Sequence, residues 1–376
     1  MADKQNDGKK RILFVANVAK EHINKFHVPT IHEFRKHGWI VDVACSVDED
    51  VPEYDHLYNM CWKRSPFSFR TIKGIFDLKK IIRENHYDII YCHTPVGGLE
   101  GRLAAKSFRK SGTMVVYCAH GLHFFNGAPL INWVLFYPME KLLARFTDCF
   151  ITINKEDYHR VKNKFNPKMR VELIPGIGVD FSRLNVDKPQ EARKLYRKNM
   201  SIPEDSKVLI YVAELLPNKN QIMLVDTLAL LLDKGEDVYL VLPGPDHENG
   251  ALSIYVKQKG LSDRVRILGW RDDVGELLNM SDICVASSIR EGFGINLIEA
   301  MYCGLPVVAT NNRGHEMIIS DGINGYLVAM NDIEAMSQKV VQAYNNRELI
   351  KNVNKNLILS YSSDAIANRI YNIIVQ

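Results

Sequence analysis

The sequence predicts an α/β protein made of two doubly wound, parallel-sheet domains in tandem. Three observations predict it. Short apolar, β-branched runs recur along the chain with amphipathic segments between them; the series breaks off and restarts once, at a stretch rich in chain-breaking residues; and 376 residues exceed what a single core ordinarily organises.

The first series comprises Arg11–Ala16, Ile40–Ala44, Asp88–Cys92, Thr113–Cys118 and Asp148–Ile153. Polar residues rarely alternate within these runs, the pattern of strands buried on both faces. Ile72–Glu84, Gly101–Ser111 and Lys155–Phe165 supply the helical crossovers that parallel strands need. Next come Ile174-Pro-Gly-Ile-Gly-Val-Asp180 and the polar segment Asn185–Gln190, which read as a hinge. The second series follows: Lys207–Val212, Val238–Leu242, Val265–Leu268, Asp282–Ser287 and Pro306–Thr310. The expected division is a first Rossmann-like domain over 1–185, a second over 186–358, and a C-terminal helix over 359–376 packing back toward the first. Open sheets of this class bind ligands beyond the carboxyl ends of their strands, so two facing sheets imply a central cleft.

Composition excludes several classes. With 46% hydrophobic and 24% charged residues the chain is an ordinary globular one. No apolar run approaches the roughly 20 residues of a membrane span, and the start, Met1–Lys10, is polar rather than signal-like. The expected location is the cytoplasm. Cys45, Cys92, Cys118, Cys149 and Cys284 lie inside apolar runs without Cys-x-x-Cys spacing, so they read as small core residues. The net charge of +4 is uneven: residues 1–185 carry 28 Lys and Arg against 20 Asp and Glu, leaving 20 against 24 in the remainder. A basic first domain suits an anionic bilayer or a phosphorylated acceptor as well as a plain solvated surface. Nucleic acid is not expected, because neither a concentrated basic run nor a binding motif is present.

The most informative stretch is Ser287 to Thr310, read as strand, loop, helix, turn and strand. Gly292 and Gly294 let backbone amides approach a ligand, and a helix opening near Gly294 aims its unpaired N–H groups and positive dipole end at an anion. Gly304 and Pro306 end that helix. Glu291 and Glu299 bracket the anion site. Carboxylates repel phosphate and accept hydrogen bonds from hydroxyls, so a diphosphate carrying a sugar at each end fits the layout.

Glu291 and Glu299, seven residues apart around Gly-Phe-Gly, resemble the Glu-x7-Glu signature of the family-4 retaining glycosyltransferases of GT-B fold. The resemblance extends through Asn311-Asn-Arg-Gly-His-Glu316 and Asp321-Gly-Ile-Asn-Gly-Tyr326. It implies that Glu291 contacts the donor hexose, that backbone amides among Gly292, Phe293, Gly294, Ile295 and Asn296 hold the distal phosphate, and that Glu299 holds the ribose. It also brings Glu214, Lys219 and Asn220 to the donor side, with Lys219 as the phosphate-binding lysine. Many members have Gly-Arg-Leu where this chain has Ala213-Glu214-Leu215, so an arginine that often accompanies the lysine is missing. Arg290 or Arg313 is the expected substitute. No metal or other cofactor is implied; the nucleotide-sugar, expected to be UDP-linked, is a co-substrate.

On the acceptor side, His120 in Ala119-His-Gly-Leu-His123-Phe-Phe125 resembles the family's active-site histidine, and the run to Gly127-Ala-Pro129 is similar to transferases of exopolysaccharide and capsule assembly. His123 is a weaker candidate. The family's glycine-rich loop after the first strand is replaced by Asn17–His27. His22, His27 and His32 are spaced without a carboxylate or thiol to complete a metal motif, and Asp48-Glu-Asp50 reads as an acidic loop. Ile131–Tyr137, followed by Lys141 and Arg145, reads first as core and second as a membrane-facing surface, a reading to which Arg102, Lys106, Arg109 and Lys110 on a neighbouring helix add support.

The resemblance implies retaining transfer of a hexosyl or N-acetylhexosaminyl group to a saccharide or polyprenyl-diphosphate-linked acceptor in surface polysaccharide assembly, with peripheral contact to an anionic membrane. The alternatives are a nucleotide-sugar epimerase of GT-B fold and a non-catalytic nucleotide-sugar-binding subunit.

Overall fold

The structure is a computed structural model that describes residues 8–60, 62 and 69–376; the first seven residues of the polar start lie outside it. The chain divides into two compact units, Met1–Gly178 with Ser363–Gln376, and Val179–Ser362. Both are parallel α/β units, as the two series of runs predict.

The first unit holds seven strands: β1 Arg11–Val18, β2 Ile40–Ser46, β3 His56–Asn59, β4 Ile89–His93, β5 Met114–Ala119, β6 Cys149–Thr152 and β7 Arg170–Leu173, in the order β3-β2-β1-β4-β5-β6-β7. Every pairing is parallel. Central strands are apolar throughout because helices cover both faces, and Ile12 through Ala16 are fully buried. Edge strands β3 and β7 were not expected from the sequence; each has four residues and neither buries a full face.

The helix after β4 begins at Pro95 and ends at Ala105, six residues earlier than the Gly101 start the sequence suggested. Gly97, Gly98 and Gly101 hid it, since glycine weakens a helix interior by roughly 1 kcal/mol against alanine. Their absent side chains let the helix lie directly on the sheet. A Cβ on Gly98 would stand 2.4 Å from Tyr117, and one on Gly101 2.4 Å from the Cys92 sulfur. The helix also carries Arg102, expected at the surface but wholly buried. Its guanidinium donates to both Glu140 oxygens at 2.7 and 3.1 Å and to the Gly98 carbonyl at 2.7 Å, and lies 3.8 Å over the Tyr117 ring. Burial works against its charge, but Glu140 together with Tyr117 and Cys92 more than offsets this and holds its pKa above the ordinary value.

The last helix, Ser363–Val375, packs within the first unit on the helix Val28–Lys36, where Tyr371 stacks on His37 with ring centres 4.1 Å apart. A Cβ on Gly178 would come within 2.7 Å of the Ser363 Cα, so the residues on either side of the second unit are neighbours.

The second unit holds β8 Lys207–Ile210, β9 Val238–Pro243, β10 Val265–Gly269, β11 Ile283–Ala286, β12 Val307–Thr310 and β13 Tyr326–Val328, in the order β10-β9-β8-β11-β12-β13, again all parallel. The topological switch lies between β8 and β11, and the loops leaving these two strands carry Lys219 and Glu291. At the first residues of the unit, Val179 N–H donates to the Tyr361 carbonyl at 2.9 Å. The cysteines behave as core residues: five of the six described are buried, and all six are free. Among the described residues no helix is long and apolar enough to cross a membrane.

Candidate functional site

In the second unit the loop from β11 runs through Ser287 to Gly294, and the helix Ile295–Tyr302 follows with Gly294 as its N-cap at φ 110°. That left-handed conformation suits glycine, and the His315 ring edge lies 3.2 Å from where a Cβ would be. The N–H groups of the first turn have no carbonyls within the helix to accept them, so the helix offers an anion its donors and its dipole.

Lys219 reaches the same place from the other side of the switch. It ends the short 3-10 turn Pro217–Lys219 beyond β8, and its ammonium donates to Glu291 Oε1 at 2.5 Å. Ser288 Oγ donates to that oxygen at 2.5 Å and is itself bonded to the Tyr211 hydroxyl. The Ser288 carbonyl accepts from Thr310 Oγ1 at 2.6 Å and Asn312 Nδ2 at 3.0 Å. Gly314 presses on the loop so closely that a Cβ there would lie 2.7 Å from the Glu291 Cβ. The Glu291 carboxylate is therefore held from below and above, with Lys219 as its counter-ion.

Glu299 sits in the second turn of the helix with only 4% of its surface exposed, so it is not a solvent-facing residue. Its carboxylate accepts from Arg183; burial raises its pKa and Arg183 opposes that shift. Glu299 and Arg183 line a cavity of about 410 Å³ with Ala213, Glu214, Gly244, Trp270 and Arg271. Its floor is tight: a Cβ on Gly244 would lie 1.9 Å from the Ala213 carbonyl oxygen, and Gly244 N–H donates to the Gly269 carbonyl at 2.7 Å. Trp270 stands 71% exposed at its rim.

The remaining sequence candidates fall as follows. Glu214 is exposed on the cavity wall, 3.8 Å from His247, and its carbonyl accepts from Gln221. Asn220 has φ 52° and spends its side-chain amide on Asn331 at 3.0 Å, so it shapes the entry to the helix Gln221–Asp233. Phe293 is buried, while Ile295 and Asn296 are partly exposed at the helix start. The Arg183 guanidinium meets Glu299, one of the two candidate carboxylates. Sequence reasoning missed it, and also His315. The His315 ring is fully buried, with Nδ1 within 2.7 Å of the Thr310 carbonyl, Nε2 without a partner, and its pKa lowered by burial. The Gly-His-Glu run in the quoted motif was the available signal.

In the first unit, His120 follows β5 directly. It lines a cavity of about 200 Å³ with His22, Thr94, Pro95, Gly121, His123 and Phe136. Burial lowers its pKa to about 3, so at neutral pH the ring is uncharged. Thr94 has φ 64°, an uncommon conformation for a β-branched residue, and its hydroxyl caps the helix Pro95–Ala105 through Gly97 N–H at 3.1 Å. His123 is exposed and its ring lies 4.8 Å from Phe136. His32, also exposed, pairs with Glu53 instead of joining His22 and His27. The acidic loop Asp48–Asp50 holds the π-helical segment Ala19–His27 through Lys20 N–H and the Asn24 amide.

The helix Leu130–Leu143 runs through Pro138 without ending there. Trp133, Phe136 and Tyr137 turn inward, while Leu130, Ile131, Val134 and Leu135 are exposed. Of the four basic residues read as a membrane-facing set, Lys106 and Lys110 are exposed; Arg102 is the buried partner of Glu140, and Arg109 is bonded to Asp148.

Residues 192–359 match the family described as glycosyl transferases group 1, and residues 11–154 match the family described as glycosyl transferase 4-like. The chain is 42% identical over 342 residues to EpsD of Bacillus subtilis (strain 168), named as a glycosyltransferase, covering 91% of this chain and 89% of that protein. It is 25% identical to the UDP-Gal:alpha-D-GlcNAc-diphosphoundecaprenol alpha-1,3-galactosyltransferase of Escherichia coli, covering 74% and 72%. Among solved structures, Anabaena Alr3699/HepE in complex with UDP and glucose superposes with a TM-score of 0.75 at 18% identity, over 97% of this chain and 99% of that one.

Proposed function

Because the chain belongs to the glycosyl transferases group 1 family and has the GT-B fold, we propose that it moves a hexosyl or N-acetylhexosaminyl group from a UDP-sugar, with retention, to a lipid-linked saccharide in surface polysaccharide assembly. The observation that carries this reading is the Lys219–Glu291 pair at the opening of the helix Ile295–Tyr302. A diphosphate arriving at the helix amides draws the ammonium away from Glu291, which frees that carboxylate to accept hydrogen bonds from the sugar. Lys219 and the amides then stabilise the charge that develops on the leaving diphosphate, and no metal is needed for that step. His120 faces the acceptor side from the cavity it lines with Thr94 and Pro95.

Glu299 takes the ribose in this proposal, and Trp270 and Arg271 wall the cavity that takes the base. Glu299→Gln is expected to abolish the preference for UDP over its 2′,3′-dideoxy analogue. That preference should be about 10-fold or more in the unaltered protein, since a hydrogen bond to a charged group contributes about 1.5–3 kcal/mol. Calorimetric titration of both nucleotides measures it, and an unchanged ratio in the variant would remove Glu299 from the ribose. Donor and linkage are tested by incubating the purified protein with a panel of UDP-sugars and polyprenyl-diphosphate saccharides. NMR of the product then reads the anomeric configuration, and an inverted product defeats the retaining assignment.

The lipid-linked acceptor is supported by the name of the Escherichia coli relative and by the exposed face of the helix Leu130–Leu143. We assign that face to the headgroup region of an anionic membrane, with Lys106, Lys110 and Lys141 nearby. Ile131→Asp with Leu135→Asp is expected to cut co-sedimentation with phosphatidylglycerol vesicles at least roughly 10-fold, given about 1.5–3 kcal/mol per buried aliphatic side chain. Wild-type sedimentation of this double variant would remove the membrane from the proposal.

A further inference from the structure

Three adjacent strands of the first sheet each deliver a histidine to the same place. His27 ends the π-helical segment that follows β1, His93 is the last residue of β4, and His120 follows β5. One ring nitrogen from each lies within 4.8 Å of the other two. The His27 and His93 rings are 3.6 Å apart, and the His120 ring lies 5.4 Å from His27 and 5.9 Å from His93, nearly perpendicular to both. Neither nitrogen of His27 or His93 has a hydrogen-bond partner, nor has Nε2 of His120 or Nδ1 of the adjoining His22.

Buried polar atoms are normally paired, because an unpaired one costs about 1–3 kcal/mol. Here six such nitrogens gather in one spot. A neutral imidazole keeps one lone pair, and three lone pairs with a common focus are the donor set of a divalent d-block ion.

We propose that His27, His93 and His120 form a three-imidazole site for such an ion, of the zinc class, with its fourth position open to the cavity that His22 and Thr94 line. Zinc–nitrogen bonds of about 2.0–2.1 Å place tetrahedral ligand atoms about 3.3 Å apart, so the cluster contracts by roughly 1.5 Å at most, a matter of ring rotations. The cavity of about 200 Å³ reaches His120 and gives the ion its path in. This departs from the expectation of no metal, which weighed His22, His27 and His32; of these only His27 is in the cluster, and the other two ligands come from the end of β4 and the residue after β5, far off in sequence. The proposal does not depend on the donor assignment, since the ion is detected without nucleotide.

The test uses the full chain without a histidine tag, stripped with a chelator and titrated with Zn2+ against a chromophoric competitor, and separately with Co2+. The expected result is one ion per chain, the intense visible bands of a tetrahedral nitrogen-ligated cobalt ion, and a melting temperature raised by Zn2+. His93→Phe keeps an aromatic ring beside Phe14 and Tyr91. It should weaken Zn2+ binding by more than the roughly 100-fold that loss of an outer-sphere partner costs, while His32→Ala should not. Circular dichroism identifies folded variants, and His27→Gln replaces His93→Phe if the latter does not fold. Substoichiometric zinc in the unaltered chain, or wild-type affinity in a folded ligand variant, overturns the site.

Discussion

Lys219→Ala is expected to lower turnover about 10²–10³-fold with the fold intact, the range seen when one pre-positioned donor to a developing negative charge is removed. The ammonium is held 2.5 Å from Glu291 at the rim of the anion site, and Glu214 occupies the position at which an arginine would share its role. The fold should survive, because Glu291 keeps its bond from Ser288 Oγ and some contact with solvent. Glu291→Gln should also cost turnover. The double variant should cost less than the product of the two single effects, since the partners constrain each other. Steady-state transfer rates at saturating donor read all three; near-wild-type turnover in folded Lys219→Ala would sink the assignment of the diphosphate to this site.

Arg102→Ala is expected to destabilise the first unit by about 3–5 kcal/mol, the cost of leaving a buried carboxylate without its partner. Glu140 has no other cation within the bonds described, and the guanidinium that is lost also fills the space over Tyr117. Replacing both partners, Arg102→Met with Glu140→Leu, should recover most of that loss, because a buried pair is costly to break and cheap to replace with apolar groups. Urea denaturation followed by a first-unit probe such as Trp133 distinguishes the two, and a wild-type midpoint for Arg102→Ala would mean that the pair does not hold the helix. Glu140 lies in Leu130–Leu143, so the single variant should also loosen the surface assigned to the membrane.

All ten strands read from the sequence are present, because buried parallel strands announce themselves as unbroken apolar runs. The three that were missed, β3, β7 and β13, are short and lie at or beside sheet edges, where the pattern is diluted. The helix carrying Gly97, Gly98 and Gly101 was half hidden because its glycines serve close packing, which propensity cannot register. Arg102 was misread for the complementary reason: arginine is a surface residue unless a partner is known, and its partner lies 38 positions away. Around the candidate anion site the local order of residues was enough to bring Glu291, Gly294 and Glu299 forward as candidates. Arg183 and His315 reach it through folding alone, as His93 reaches His27 and His120.

Gly178 and Ser363 are neighbours, so the segment between them leaves and rejoins the same point of the first unit. Such a segment is an insert. A gene could trade it for a homologous piece through two recombination events and keep the surrounding polypeptide uninterrupted.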